Sequence, residues 1–184
     1  MKINKIFILS HQDDEMGILN HIKNAIEKKE DVKIFFLTNG RIKNKNSEEI
    51  IKIRENESVK VLEKIGIEKN NIFFIGNELN INVYELYKNL DIAHKKLSLI
   101  FEDLKKNFEI FTHAWEGGNT DHDSCYLLVL KLLRKFNNIN SCYQFSLYNG
   151  YKMPLKLFRV LTPLESNGEI IEKKLSIGEK LRII

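Results

Sequence analysis

The sequence predicts a three-layer, doubly wound, Rossmann-like α/β domain, and three observations carry that expectation. Short, nearly continuous runs of β-branched and aromatic residues recur along the chain. Longer segments with helical apolar periodicity separate them. Consecutive strands are therefore joined by helices rather than tight turns. That calls for a mostly parallel sheet covered on both faces, with right-handed crossovers.

Taken in order, Lys5 to Leu9 (KIFIL) reads as the first strand. Asp13 to Lys28 reads as a helix with Ile18, Leu19, Ile22 and Ile26 on one face. Val32 to Thr38 (VKIFFLT) is the second strand, closed by the turn signal Asn39-Gly40. Ser47 to Ile65 is a helix with a stripe of Ile50, Ile53, Val61, Leu62 and Ile65, and Gly66 suits its C-terminal cap. Asn71 to Ile75 is the third strand, Val83 to Asn107 a long helical region, either continuous or broken, and Glu109 to Ala114 the fourth strand. Asp121 to Phe136 is a helix and Ser141 to Leu147 the fifth strand. Beyond Gly150 the pattern changes, and Leu157 to Leu161 with Ile170 to Leu175 flank a turn and read as a C-terminal hairpin. The ending SIGEKLRII reads as the start of an amphipathic helix, either a short cap or the stump of something that longer chains possess.

Composition narrows the function classes. The 184 residues suit one domain, spanning 1–184, and 43% hydrophobic with 29% charged residues is an ordinary soluble balance. A net charge of +4 is spread along lysine–glutamate faces, and no aromatic-basic signature argues for nucleic acid. Cys125 and Cys142 form no CxxC pair, so reduced thiols in a cytoplasmic protein are expected. The N-terminal apolar run is too short for a signal peptide, and no stretch is long enough to span a bilayer. A nucleotide-binding reading is disfavoured, because no GxGxxG or GxxxxGK[ST] follows a strand.

The chemistry concentrates in ILSHQDDEMG, residues 8 to 17, where a strand ends in a histidine and three acids. In open α/β sheets ligands bind beyond the carboxyl ends of the strands, which is where His11 to Glu15 fall. Two readings fit the acids. They oppose the positive end of a helix dipole, each by about 0.3–1 kcal/mol, with Asp13 as a simple N-cap. Alternatively they serve a cation. The first reading leaves His11 unexplained, whereas His-x-x-Asp at a strand-to-helix turn can aim imidazole and carboxylate at one point. A catalytic metal site wants three protein ligands, so a third is expected from another strand end.

The stretch THAWEGGNTDHDSC, residues 112 to 125, supplies one. It too follows a strand and precedes a helix. Gly117-Gly118 permits a tight turn and close backbone approach, and Asp121, His122 and Asp123 cluster at the helix start. With only five histidines in the chain, finding His11 and His122 at two strand ends beside acids favours a metal site. His21 and His94 fall within helices as surface or boundary residues. His113 has two readings, in the pocket wall or buried at the strand end.

These two stretches resemble the motifs of the PIG-L/LmbE-like zinc-dependent de-N-acetylases. The first family motif, His-Pro-Asp-Asp-Glu, is matched by His11-Gln12-Asp13-Asp14-Glu15, and the second, Glu-Gly-Gly leading into His-Pro-Asp-His, by Glu116 to His122. TNGR at 38 to 41, RENESVKVLEKIGI at 54 to 67 and LYNGYKMPLKLFRVLTPL at 147 to 164 are also similar to the family, so the likeness spans nearly the whole chain. It implies His11, Asp14 and His122 as ligands of Zn2+ or another divalent metal, and Asp13 as the base that deprotonates the attacking water. It implies Arg54 as a substrate contact, Asp121 as a supporting residue and Glu15 as a brace for the first loop. The implied activity is removal of an acetyl group from an N-acetylated amino sugar or glycoconjugate.

Three positions depart from the family. Asn119 stands where the second motif has its first histidine, and Thr120 where it has proline; Gln12 replaces the proline of the first motif. Asparagine donates a hydrogen bond but shuttles no proton near neutral pH. Three outcomes stay open: Asp13 acts as base and then as acid, His113 substitutes, or the chain binds metal and sugar with little or no catalysis.

Overall fold

The computed structural model describes residues 4–104, 108–137, 142–154 and 157–171. Five strands, β1 (Asn4–Leu9), β2 (Asp31–Phe36), β3 (Ile72–Phe74), β4 (Phe108–His113) and β5 (Cys142–Phe145), form one parallel sheet in the order β3-β2-β1-β4-β5. Its helices are α1 (Leu19–Glu27), α2 (Glu49–Lys64), the single turn α3 (Ile75–Glu78), α4 (Leu90–Asp103) and α5 (Thr120–Phe136). The doubly wound expectation holds. Because the sheet is covered twice, its strands are apolar on both sides, and Ile6 to Leu9 are wholly buried.

Two cores result. On one face Ile22, Ala25 and Leu62 of α1 and α2 meet Phe7, Leu9, Ile34 and Phe36. On the other, Leu97 and Phe101 of α4 and Leu128 and Leu132 of α5 meet Ile6, Ile8, Phe35 and Ile110. Burying each such side chain stabilises by about 1.5–3 kcal/mol. Chain order reverses between β1 and β4, so the connections leaving their carboxyl ends diverge and open a crevice there.

Several boundaries differ from expectation, each for a local reason. The helix predicted from Asp13 begins instead as a 3-10 turn over Asp14–Ile18, with α1 following. Asp13 makes no side-chain capping bond; Asp14 Oδ2 accepts the His11 N–H at 2.6 Å, which commits the acidic turn to the loop. The buried line of α2 runs through Ser58 and Leu62, while Ile53 and Val61 face solvent. Four-residue spacing puts Arg54 on that same sheet-facing line, at the end nearest the crevice. The region from Val83 is a loop and a 3-10 turn (Leu86–Lys88) before α4 begins at Leu90. Tyr84 has φ +66°, and its N–H and that of Leu86 point to Asp121, so neither can feed a helix. The hairpin is real but paired differently: β6 (Tyr148–Asn149) runs antiparallel to β7 (Arg159–Val160). Of its expected second arm, Ile170 and Ile171 are in no strand, and the rest, like the expected terminal helix, lies outside the described residues.

Two close approaches frame the crevice. A side chain on Gly76 would begin 2.2–2.5 Å from the Thr38 backbone, so only glycine lets α3 rest on the end of β2. Asn39 N–H then reaches the Ile81 carbonyl (2.8 Å) and Val83 N–H the Arg41 carbonyl (2.8 Å), drawing Tyr84 over the sheet edge.

Candidate metal centre

The first loop leaves β1 at Ser10 and turns at once. The Asp14 carboxylate, 5% exposed, lies among three imidazoles: His113 Nε2 at 3.0 Å, His122 Nε2 at 3.3 Å and His11 Nδ1 at 3.4 Å. Burial alone would raise its pKa. The neighbouring imidazoles, His113 foremost, outweigh burial and hold it well below the usual carboxylate range.

His11 Nδ1 and His122 Nε2 face each other at 3.3 Å. Two imidazole lone pairs at that distance repel unless a proton or a cation lies between them. His11 Nε2 is meanwhile 3.0 Å from Asp121 Oδ2. Donation from Nε2–H to that carboxylate leaves the Nδ1 lone pair aimed inward, the usual device for fixing the tautomer of a metal-binding histidine. Asp121 is itself fully buried and anchored by the N–H groups of Tyr84 (2.5 Å) and Leu86 (3.1 Å).

One donor atom each from His11, Asp14 and His122 lies within 4.8 Å of the others. His11 Nδ1 and His122 Nε2 are 3.3 Å apart, close to the tetrahedral edge of about 3.3–3.4 Å for bonds of about 2.0–2.1 Å, and the Asp14 carboxylate turns Oδ2 to His11 (3.4 Å) and Oδ1 to His122 (3.3 Å). The donor set therefore fits a divalent cation. In the metal-free form burial lowers the His11 pKa, but Asp121 and Asp14 more than reverse this and lift it to about 10.

Asp13, beside the cluster, is exposed, and its Oδ2 lies 3.8 Å from Arg54 Nη1. Partial burial against the cleft wall, then the charge of Asp14, raise its pKa. Arg54 also donates to the Gln12 carbonyl at 3.4 Å. Gln12 donates in turn to the Thr38 carbonyl (3.1 Å), a brace between the two strand ends that proline would lack. Glu15 is buried and pushed by burial up to about 7. A cleft of about 400 Å³ opens over the cluster, lined by His11, Asp13, Arg54, Tyr84, Asn119 and Tyr148 among others.

The second loop is arranged otherwise. Gly117 adopts φ +67°, and a side chain on Gly118 would crowd the Tyr148 carbonyl at 3.0 Å. Asn119 is the N-cap of α5: its Oδ1 accepts the Asp121 N–H at 2.8 Å, and its Nδ2 donates to the Tyr148 hydroxyl oxygen at 3.0 Å. The Glu116 carboxylate accepts the N–H groups of Leu147 (3.0 Å) and Tyr148 (3.1 Å) and the Ser146 hydroxyl, tying this loop to β6. Asp123 accepts the N–H groups of Glu116 and Gly117.

The structure thus gathers His11, Asp13, Asp14, Arg54, Asn119, Asp121 and His122 around one crevice. His113 takes the buried alternative. It is 0% exposed, its Nε2 accepts the Ser10 N–H at 3.1 Å, and its ring stacks on His122 with centroids 4.0 Å apart. With no surface to meet a substrate, it cannot stand in for the missing motif histidine. Tyr84 and Tyr148 were not found from sequence. Tyr84 acts here through a backbone N–H, which any residue carries, and Tyr148 was covered only by the likeness of the whole stretch 147 to 164 to the family, which singles out no side chain.

Comparisons with known proteins agree with this fold. The PIG-L family profile, described as GlcNAc-PI de-N-acetylase, matches residues 6–133. No curated protein sequence matches the chain. Among solved structures, N,N'-diacetylchitobiose deacetylase from Pyrococcus horikoshii is similar at a TM-score of 0.59 and 16% identity, over 79% of this chain and 59% of its own. The zinc-inhibited form of teicoplanin deacetylase Orf2 is similar at 0.62 and 10% identity, over 78% and 67%. The A40926 pseudoaglycone deacetylase Dbv21 gives 0.62 and 12%, over 79% and 64%. At these identities the likeness establishes the fold, and the chain spans about three-fifths of the first structure's length.

Proposed function

This chain belongs to the PIG-L family, and from that premise we propose that it is a zinc-dependent hydrolase that removes the acetyl group from an N-acetylated amino sugar or its conjugate. One observation carries the reading: two imidazole nitrogens and one carboxylate oxygen lie within 4.8 Å of one another beneath a cleft that His11, Asp14 and a second carboxylate, Asp13, line.

His11, Asp14 and His122 hold the metal in this account. Zinc, when bound, supplies a Lewis acid for the amide carbonyl and a lowered pKa for water. Every other part falls to the chain. Asp13 reaches the cleft and is more basic than an ordinary carboxylate, so it takes the proton of the attacking water. It then returns that proton to the departing amine, since Asn119 carries no titratable proton and His113 is buried. Arg54 steadies Asp13 and offers its remaining N–H groups to sugar hydroxyls. Asp121 keeps His11 in the tautomer whose Nδ1 faces inward. The deacetylase activities named for the similar structures support this substrate class.

A second reading rests on Asn119, whose amide is occupied on both sides by Asp121 and Tyr148. In it the chain binds metal and sugar with little or no turnover. Acetate release from a panel of N-acetylated amino sugars by zinc-loaded protein separates the two. The hydrolase reading expects turnover by the wild type and a kcat about 10²–10⁴-fold lower in Asp13→Ala. No acetate from the wild type, with release by Asn119→His, establishes the second reading instead.

A further inference from the structure

We propose that the Tyr148 hydroxyl is a catalytic hydrogen-bond donor of this site, directed at the oxygen of the scissile acetamide carbonyl, and that Asn119 is the residue that turns it that way. The proposal rests on the de-N-acetylase reading above.

Tyr148 borders the same cleft as His11, Asp13 and Asp14, and its ring lies 5.3 Å from that of His122. Its backbone is fixed from two directions, by the Glu116 carboxylate at its N–H and by pairing with Val160 across the hairpin. The direction of its hydroxyl proton follows from Asn119. The Asn119 Oδ1 is committed to the Asp121 N–H, which decides which way the amide faces. Its Nδ2 must then donate to the tyrosine oxygen, as the 3.0 Å contact shows. A hydroxyl has one proton and two acceptor positions. With one acceptor position filled by Asn119, the proton is free to point away from Asn119 and into the cleft.

The choice of target follows from charge. Burial, the largest influence, raises the pKa of this phenol above its ordinary 10, so near neutral pH the group holds its proton. Such a group is a weak proton source for a leaving amine. It is a good donor to an oxygen that gains negative charge, where a fixed donor contributes most. No bond to the tyrosine forms or breaks in this role.

The test compares two ligands of the zinc-loaded protein by calorimetry: glucosamine, which lacks the acetyl oxygen, and its methylphosphonamidate, whose tetrahedral oxygens stand where the carbonyl oxygen would carry charge. Tyr148→Phe is expected to weaken the phosphonamidate by about tenfold or more and leave glucosamine within about twofold. Zinc content and melting temperature should stay unchanged. Asn119→Asp keeps the α5 cap but replaces the donor with an acceptor, which captures the tyrosine proton. It should weaken the phosphonamidate while tightening the cationic glucosamine. Where turnover is measurable, Tyr148→Phe should lower kcat about 10²-fold with KM within about twofold. Equal binding of the phosphonamidate by wild type and Tyr148→Phe overturns the role of Tyr148 and leaves the hydrolase reading standing. A wild type that binds neither ligand overturns both.

Discussion

The two loops that build the crevice carry the same kinds of residue and use them in opposite ways. After β1, the Asp14 carboxylate is turned toward three imidazoles. After β4, the carboxylates of Glu116 and Asp123 are turned toward peptide N–H groups. The first arrangement keeps charge aimed at one point, with a single bond to the His11 N–H, and the second spends its charge on holding a backbone. Asp121 belongs to both: two peptide N–H groups fix it, and it fixes His11. An acid at a strand end is therefore chemical or architectural according to what meets it, and residue type alone does not separate the two.

That contrast breaks most visibly at Asp14. Changing a partner behind a ligand typically costs about 10–100-fold in metal affinity, so removing the ligand itself in Asp14→Ala should cost more than about 100-fold, measured by zinc titration. Unchanged affinity would return the acidic turn to a helix start. Asp121→Asn should fall in the range of about 10–100-fold, because His11 loses its anionic partner, and the single amide oxygen leaves one of the Tyr84 and Leu86 N–H groups without its acceptor. Glu116→Ala should leave zinc affinity within about threefold and lower stability by about 1–3 kcal/mol in urea, since the Leu147 and Tyr148 N–H groups lose their acceptor. A large loss of zinc affinity there, with stability intact, would erase the distinction between the loops.

The last effect is one of pH. In the metal-free protein His11 titrates near 10 rather than 6.5. Its contribution to stability is complete below about pH 6.5 and is lost as pH rises toward 10, at no more than about 1.4 kcal/mol per pH unit. Asp14 works in the other direction: its depressed pKa contributes above the ordinary carboxylate range and is lost in acid. The urea midpoint of the metal-free protein should therefore decline from pH 7 to 10. Saturating zinc, which displaces the His11 proton, should flatten that decline. A midpoint that rises over this range would contradict the His11 environment.

How much of this could be read from sequence follows from which atoms do the work. The strands were legible because a sheet covered on both faces needs continuous apolar runs such as Ile6 to Leu9. The candidate ligands were legible because histidines were few and two of them sat beside acids where strands end. The break at Val83 was not, since it depends on the N–H groups of Tyr84 and Leu86 reaching a residue 37 and 35 positions away. The solvent-facing Ile53 and Val61 of α2 misled, because isolated apolar residues are common on surfaces. The hairpin was displaced because two-residue strands leave almost no alternation to read. Asn119 was read as a lost histidine, and its fitness as a helix cap went unused.

Anomalous diffraction at the zinc edge, from crystals of the protein grown with stoichiometric zinc, tests the central claim most directly. The account predicts one strong peak about 2.0–2.2 Å from His11 Nδ1, His122 Nε2 and an Asp14 carboxylate oxygen. A crevice with no peak, or zinc bound only at some other set of side chains, would contradict it.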